Sequence, residues 1–192
     1  MNSLETILSR SEHLKSDIIS YIGDKPIVIV GSSKDISHLK INYPIVVRLN
    51  SSRRWGDCDI WFNNYCNGLD EHYKSSGSNN EKFIIRGNGD RDGSNMIRNY
   101  PEEWYNKTYF WDPKYWKEMT EEINIDRPLT GTIAAYWFLR YTTSKITLLN
   151  FDFYKTVKIH TVRKIVQPAP VHKPELDEAY LKNNNRIEWA FV

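Results

Sequence analysis

The sequence predicts an α/β fold: one doubly wound, mostly parallel sheet flanked by helices. Three observations predict it. Apolar residues recur at helical spacing ahead of the first apolar run. The runs that follow are short, rich in β-branched residues and largely unbroken by polar positions. They alternate with helical or loop segments. A strand with one wet face alternates apolar and polar residues, whereas an unbroken apolar run suits a strand covered on both faces, as in a parallel sheet. The intervening segments supply the crossovers that parallel strands require.

Leu4, Ile7, Leu8, Leu14, Ile18, Ile19 and Ile22 fall mainly three or four residues apart, which predicts an amphipathic helix ending near Gly23. Residues 26–30, Pro-Ile-Val-Ile-Val, form the first strand, closed by Gly31-Ser32-Ser33, and a short helix is expected over 33–39. Residues 44–50 read as the second strand, 59–62 as the third and 82–86 as the fourth. Segments 67–81 and 87–95 are rich in Gly, Ser, Asn and charge and read as mobile loops. Residues 100–116 are densely aromatic, an acceptor wall, a lid or a dimer contact. A helix is expected over 130–141, the clearest late strand over 145–151, a strand or irregular chain over 155–166, and a short helix over 176–183. With no repeat or linker, residues 1–192 form one domain, an N-terminal helix (1–24) and a core (25–192).

The chain has 192 residues, 40% apolar and 26% charged, which is globular composition with enough length for a sizeable core. Its 7 Trp, 12 Tyr and 7 Phe serve a core or stack on sugars and bases. A net charge of +2 lacks the basic excess of a dedicated DNA-binding domain and is compatible with an anionic small ligand. Cys58 and Cys66 match no zinc spacing and read as free thiols in a reducing compartment. The N-terminus is charged throughout and no apolar run reaches membrane-spanning length, so the expected location is cytoplasmic.

Four segments could carry chemistry. In Gly31-Ser32-Ser33, a bare backbone, two hydroxyls and a following helix start would suit a phosphate, although a serine-capped turn accounts for the same residues. Arg48 and Asn50 end the second strand, where α/β sheets hold ligands; a turn-forming Asn and a surface Arg are the plainer reading. In Arg127-Pro128-Leu129-Thr130-Gly131-Thr132, hydroxyls and a glycine open a helix, which makes either an anion cradle or a simple cap. His172, followed by Glu175, Asp177 and Glu178, could be a general base, since histidine titrates near neutrality; His160 shares that ambiguity, while His13, His38 and His72 lack such context.

In order, these segments resemble the motifs of the eukaryotic-type sialyltransferase family (glycosyltransferase family 29). Val30-Gly31-Ser32-Ser33, Val47-Arg48-Leu49-Asn50 and Asp57-Cys58-Asp59-Ile60-Trp61 are similar to its long nucleotide-binding motif. Pro128-Leu129-Thr130-Gly131 with Asn150-Phe151-Asp152 is similar to its short motif, and His172 with its acidic cluster to the terminal His…Glu motif. Ser32, Leu129 and Asn150 depart from the family's Asn, Ser and Gly, and the bridging cysteines and membrane anchor are absent, as in a short bacterial or viral version.

The resemblance implies an inverting, metal-independent transfer from a CMP- or UDP-linked sugar, with no cofactor. It implies His172 as base, Gly31, Ser32, Ser33, Asn50, Thr130, Gly131 and Thr132 around the nucleotide, and Arg48, Arg127 or His160 at its phosphate or the acceptor. Asp57-Cys58-Asp59 has the letters of a metal-binding Asp-x-Asp but aligns with the end of the nucleotide motif. The acceptor is a glycan or, in a phage-type alternative, a hydroxylated or hydroxymethylated DNA base, with Arg53, Arg54 and the arginines of 86–98 as DNA contacts against a plainer reading as solvated charge. A third reading is an inactive nucleotide-binding module.

Overall fold

Seven parallel strands make one sheet in the computed structural model, which describes residues 4–31, 33, 36–64, 80–86, 102–155 and 172–191. The order along the chain is α1 (Leu4–Ile22), β1 (Ile27–Val30), β2 (Ile45–Leu49), β3 (Ile60–Asn63), β4 (Phe83–Arg86), β5 (Thr108–Phe110), α2 (Pro113–Ile123), α3 (Thr130–Tyr141), β6 (Ile146–Leu149), α4 (Pro174–Lys182) and β7 (Ile187–Ala190). Across the sheet the order is β5-β4-β3-β2-β1-β6-β7. Ile29 therefore sits between Val47 of β2 and Leu148 of β6. Every residue of β1, β2 and β3 is buried, as their unbroken apolar runs predict.

The two faces are covered differently. Ile27, Ile29, Val47, Ile60, Phe62 and Leu148 face the helices, meeting Ile18 and Ile22 of α1, Met119 of α2, Ile133 to Phe138 of α3 and Leu181 of α4. Val28, Val30, Val46, Trp61, Ile84 and Leu149 face the other way, against Ile36, Leu39, Ile41, Tyr43, Trp55 and Trp104, the last two from short 3-10 helices over Asn50–Trp55 and Glu102–Lys107. A chain that steps outward from β1 and then returns to its other side places successive right-handed crossovers on opposite faces. The helix expected over 33–39 is instead a turn where the chain is described, closed by Leu39 N–H to the Ile36 carbonyl at 2.9 Å; residues 34 and 35 lie outside the described residues. The Ser33 hydroxyl is engaged with Asn150 rather than capping a helix.

The described part of the aromatic segment holds β5 and the start of α2. Tyr109, Phe110 and Trp111 are buried, with Tyr109 5.8 Å from Trp137 and Trp111 stacked on Tyr136 at 6.2 Å between ring centroids. The Asp112 side chain caps α2 through Lys114 N–H, Pro113 opens the first turn, and Asn124 closes the helix in the left-handed conformation. Ser11 of α1 accepts from Phe110 N–H and donates to its carbonyl, so a side chain occupies backbone groups that an edge strand would otherwise offer to another chain. Arg186, just ahead of β7, donates to the Leu139, Thr142 and Ser144 carbonyls and so caps the end of α3. Cys58 is buried, and desolvation pushes its thiol up to about 12, which makes it a packing group rather than a nucleophile. Cys66 lies outside the described residues. Among the described residues no helix is long and apolar enough to cross a membrane.

A buried ion pair fixes the face opposite α1 to α4. Arg53 donates twice to Glu81, at 2.9 and 2.8 Å, and its guanidinium lies 4.5 Å from the Trp61 ring and 5.1 Å from Trp104. Lys107 adds a third donor to Glu81 at 2.8 Å. Removing one partner of such a pair strands the other charge away from water. Glu81→Ala is expected to lower unfolding free energy by about 3–5 kcal/mol, read as a fall in the urea midpoint.

Candidate functional site

A cleft of about 360 Å³ opens at the carboxyl ends of β1, β2, β3 and β6, where the strand order reverses between β1 and β6. Ligands bind at this reversal in open α/β sheets, because the crossovers on its two sides leave on opposite faces and part there. Gly31 follows β1, Asn50 follows β2, Asn64 follows β3, and residues 150–154 follow β6. Trp116 of α2, residues 127–132 at the start of α3 and His172 ahead of α4 complete the walls.

Two glycines are required here by a ring. A Cβ on Gly31 would lie 2.6 Å from the Asn150 carbonyl oxygen and 2.9 Å from Cδ2 of Phe151, while a Cβ on Gly131 would enter the Phe151 ring. Gly31 N–H also donates to the Leu149 carbonyl at 2.8 Å. The absent side chains admit Phe151 and the backbone just past β6. Asn150, Phe153 and Tyr154 have φ of 63°, 49° and 63°, so one five-residue wall holds three left-handed residues that are not glycine. Asp152 braces it by accepting from Tyr154 N–H at 3.1 Å.

Asn50, also left-handed at φ 43°, binds the strand ends together. Its Nδ2 donates to Thr130 Oγ1 at 3.1 Å, its Oδ1 accepts from Asn64 N–H at 2.9 Å, and its carbonyl accepts from the Trp61 indole at 2.9 Å. One amide proton and one lone pair remain on its side chain for a ligand.

The start of α3 has an internal anion nearby. Leu129 caps it with extended backbone and no side-chain bond, and its own N–H donates to the Asp177 carboxylate at 2.8 Å. Asp177 is fully buried; desolvation raises its pKa, opposed by the nearby Thr132 hydroxyl, by the hydrogen bond from Leu129 N–H and by the proximity of His172. His172 is partly buried with Nδ1 2.8 Å from the Arg127 carbonyl oxygen. A carbonyl only accepts, so the contact places a proton on Nδ1, and whenever the ring is neutral the lone pair is on Nε2.

Of the residues singled out in the sequence, Gly31, Asn50, Arg127, Thr130, Gly131, Thr132 and His172 all line this cleft. Ser33 does not; its hydroxyl lies 2.6 Å from both the carbonyl and the side-chain oxygen of Asn150. Arg48 is not a ligand contact: it is 2% exposed and donates to the Asp57 and Ser52 carbonyls, because a charge in a two-sided strand must be satisfied internally. Ser32 and His160 lie outside the described residues. Arg53 and Arg86 are buried, which removes them as DNA phosphate contacts; the Arg54 side chain and residues 87–98 are outside the described set. Asp57 and Asp59 precede β3 at the opposite edge of the sheet, where Asp59 accepts from Val46 N–H and from the Tyr21 hydroxyl. Among the described residues no three His, Cys, Asp or Glu gather in a way that could hold a metal ion.

Sequence reasoning missed Asn64, Phe153 and Tyr154, and reached Trp116 only as the last residue of the aromatic segment offered as an acceptor wall. Asn64 had the same signal as Asn50, a polar residue just past an apolar run. Trp116 was signalled by the Asp112-Pro113 helix start, which places it one turn into α2. Compared with known proteins, the chain matches no protein-family model, no curated sequence and no solved structure.

Gly131→Ala is expected to destabilise the fold by about 1–3 kcal/mol through overpacking, and Phe151→Leu in the same chain to recover part of that loss, read by urea unfolding. A second outcome concerns pH. Because the folded pKa of Asp177 lies above its unfolded value, its contribution is full below about pH 4 and is lost as pH rises through the folded value. Asp177→Asn is therefore expected to gain stability relative to wild type as pH rises from 4 to 7, measured as paired urea midpoints.

Proposed function

We propose that this protein is a nucleotide-sugar-dependent glycosyltransferase that inverts the anomeric centre, works without a metal ion and uses His172 as its general base. The observation that carries the reading is the anchored ring. His172 is held through Nδ1 on the Arg127 carbonyl, and the residue lines the same cleft as Arg127 and the α3 start.

In the reaction, the acceptor hydroxyl gives its proton to Nε2 as its oxygen bonds to the anomeric carbon. The bond from that carbon to the donor phosphate oxygen breaks, and the phosphate leaves with the electron pair. Arg127, exposed at the cleft, supplies positive charge to the growing anion. The remaining donor on Asn50 and the hydroxyl of Thr130 suit the ribose or base, while Trp116 offers an aromatic face for a ring to stack on. A glycan hydroxyl is the favoured acceptor over a modified DNA base, since burial of Arg53 and Arg86 removes two of the basic contacts that a duplex would use.

Nucleotide binding without turnover is the second reading. It is favoured by Phe151 filling the space over Gly131 and by Asp177 bound just ahead of α3, which leave that helix start less open to a phosphate. A thermal-shift screen against nucleotides and nucleotide-sugars identifies the donor, and release of free nucleotide separates enzyme from module. His172→Ala is expected to lose about 10²–10⁴-fold in transfer while nucleotide affinity is retained. Wild-type transfer by that variant would refute the assignment.

A further inference from the structure

Two hydrogen bonds of opposite direction join the start of α4 to the turn ahead of α3. His172, two residues before α4, meets the Arg127 carbonyl at 2.8 Å. Asp177, in the first turns of α4, accepts from Leu129 N–H at 2.8 Å. Pro128, between the two contacts, has no N–H to offer and a fixed φ. The turn is thus held at both ends by one short stretch of chain, and the carbonyl that receives the imidazole proton is set by where the carboxylate holds Leu129.

We infer that Asp177 is a positioning residue for His172: by pinning Leu129 it holds the Arg127 carbonyl against Nδ1, and so fixes the ring in the tautomer whose Nε2 is free to take a proton. The inference deepens the transferase reading and rests on it for its catalytic meaning, but not for the tautomer itself. The carboxylate does not touch the ring through any hydrogen bond; its effect passes through two peptide units. Asp177 is fully buried beside the buried Thr132 hydroxyl, a location that a merely solubilising acid would not occupy. The positioning bond needs an oxygen acceptor rather than a charge, so an amide oxygen at the same place should serve.

The test follows the imidazole nitrogens of the full chain by ¹⁵N NMR at a pH where the ring is neutral, with the His172 signals assigned by their loss in His172→Gln. Wild type is expected to show Nδ1 protonated. Asp177→Ala, with folding verified by circular dichroism, is expected to shift the ring toward the Nε2-protonated form, and Asp177→Asn to restore the wild-type pattern. Leu129→Pro deletes the donor instead of the acceptor at a φ of −68° that suits proline, and is expected to reproduce the shift if Asp177→Ala fails to fold. A ring still protonated on Nδ1 in either folded variant overturns the inference, as does a shift in Asp177→Asn equal to that in Asp177→Ala.

Transfer is measured on the same proteins. A fall in kcat for Asp177→Ala at unchanged nucleotide affinity, recovered in Asp177→Asn, supports positioning in the reaction. Loss in His172→Gln with full kcat in Asp177→Ala overturns it while leaving the transferase reading intact. Full transfer in His172→Gln refutes the base assignment, and the tautomer measurement then decides the positioning claim alone.

Discussion

The seating of the Phe151 ring is the constraint on which the site depends. The ring lies against Gly31 at the end of β1 and Gly131 in the first turn of α3, and its own backbone continues β6. One side chain thus packs the start of α3 against the carboxyl end of β1 beside β6. The cleft is the space left once that packing is satisfied. The left-handed residues at 150, 153 and 154 follow from it, because the chain leaving β6 must turn sharply to put the ring inward and still wall the opening. Such conformations persist only where the surroundings over-determine them.

Charge is distributed with the same economy. Arg48 and Arg53 sit deep in the fold with their donors spent on carbonyls or on Glu81, and Arg186 closes the end of α3. Basic residues counted from sequence therefore overstate what the surface offers to an anion. Arg127, by contrast, is exposed where it lines the cleft. The polar groups around the opening also hold one another: Asn50 spans β2, β3 and α3, and His172 and Asp177 clasp one turn. A site built this way has its donors oriented before any ligand arrives, which limits the ordering cost on binding.

The parallel sheet was legible because β1, β2 and β3 are covered on both faces and so carry no polar alternation. Strands β5 and β7 were not, since β5 is three residues inside an aromatic run and β7 is a partly exposed edge strand. The helix start at Asp112-Pro113 was written in the sequence but masked by the surrounding aromatics. For the site, the strand-end rule found Gly31 and Asn50 and the helix-start rule found Thr130 to Thr132, because both depend on local chain direction alone. What those rules could not supply was occupancy. That Phe151 takes the room beside both glycines, that Ser33 turns to Asn150, and that Arg48 points inward are facts of packing between residues many positions apart.

That distance along the chain has a kinetic consequence. Asn50 meets Thr130 across 80 positions, and Ser33 meets Asn150 across 117. Closing loops of such length is entropically costly, and contacts of this kind slow folding relative to local ones. The arrangement of the strand ends around the cleft is therefore a late product of folding, absent from any species that has formed only its helices or neighbouring strand pairs. Occupancy of the cleft would report the completed domain, and a ligand held there would slow the opening of the whole sheet rather than of one loop.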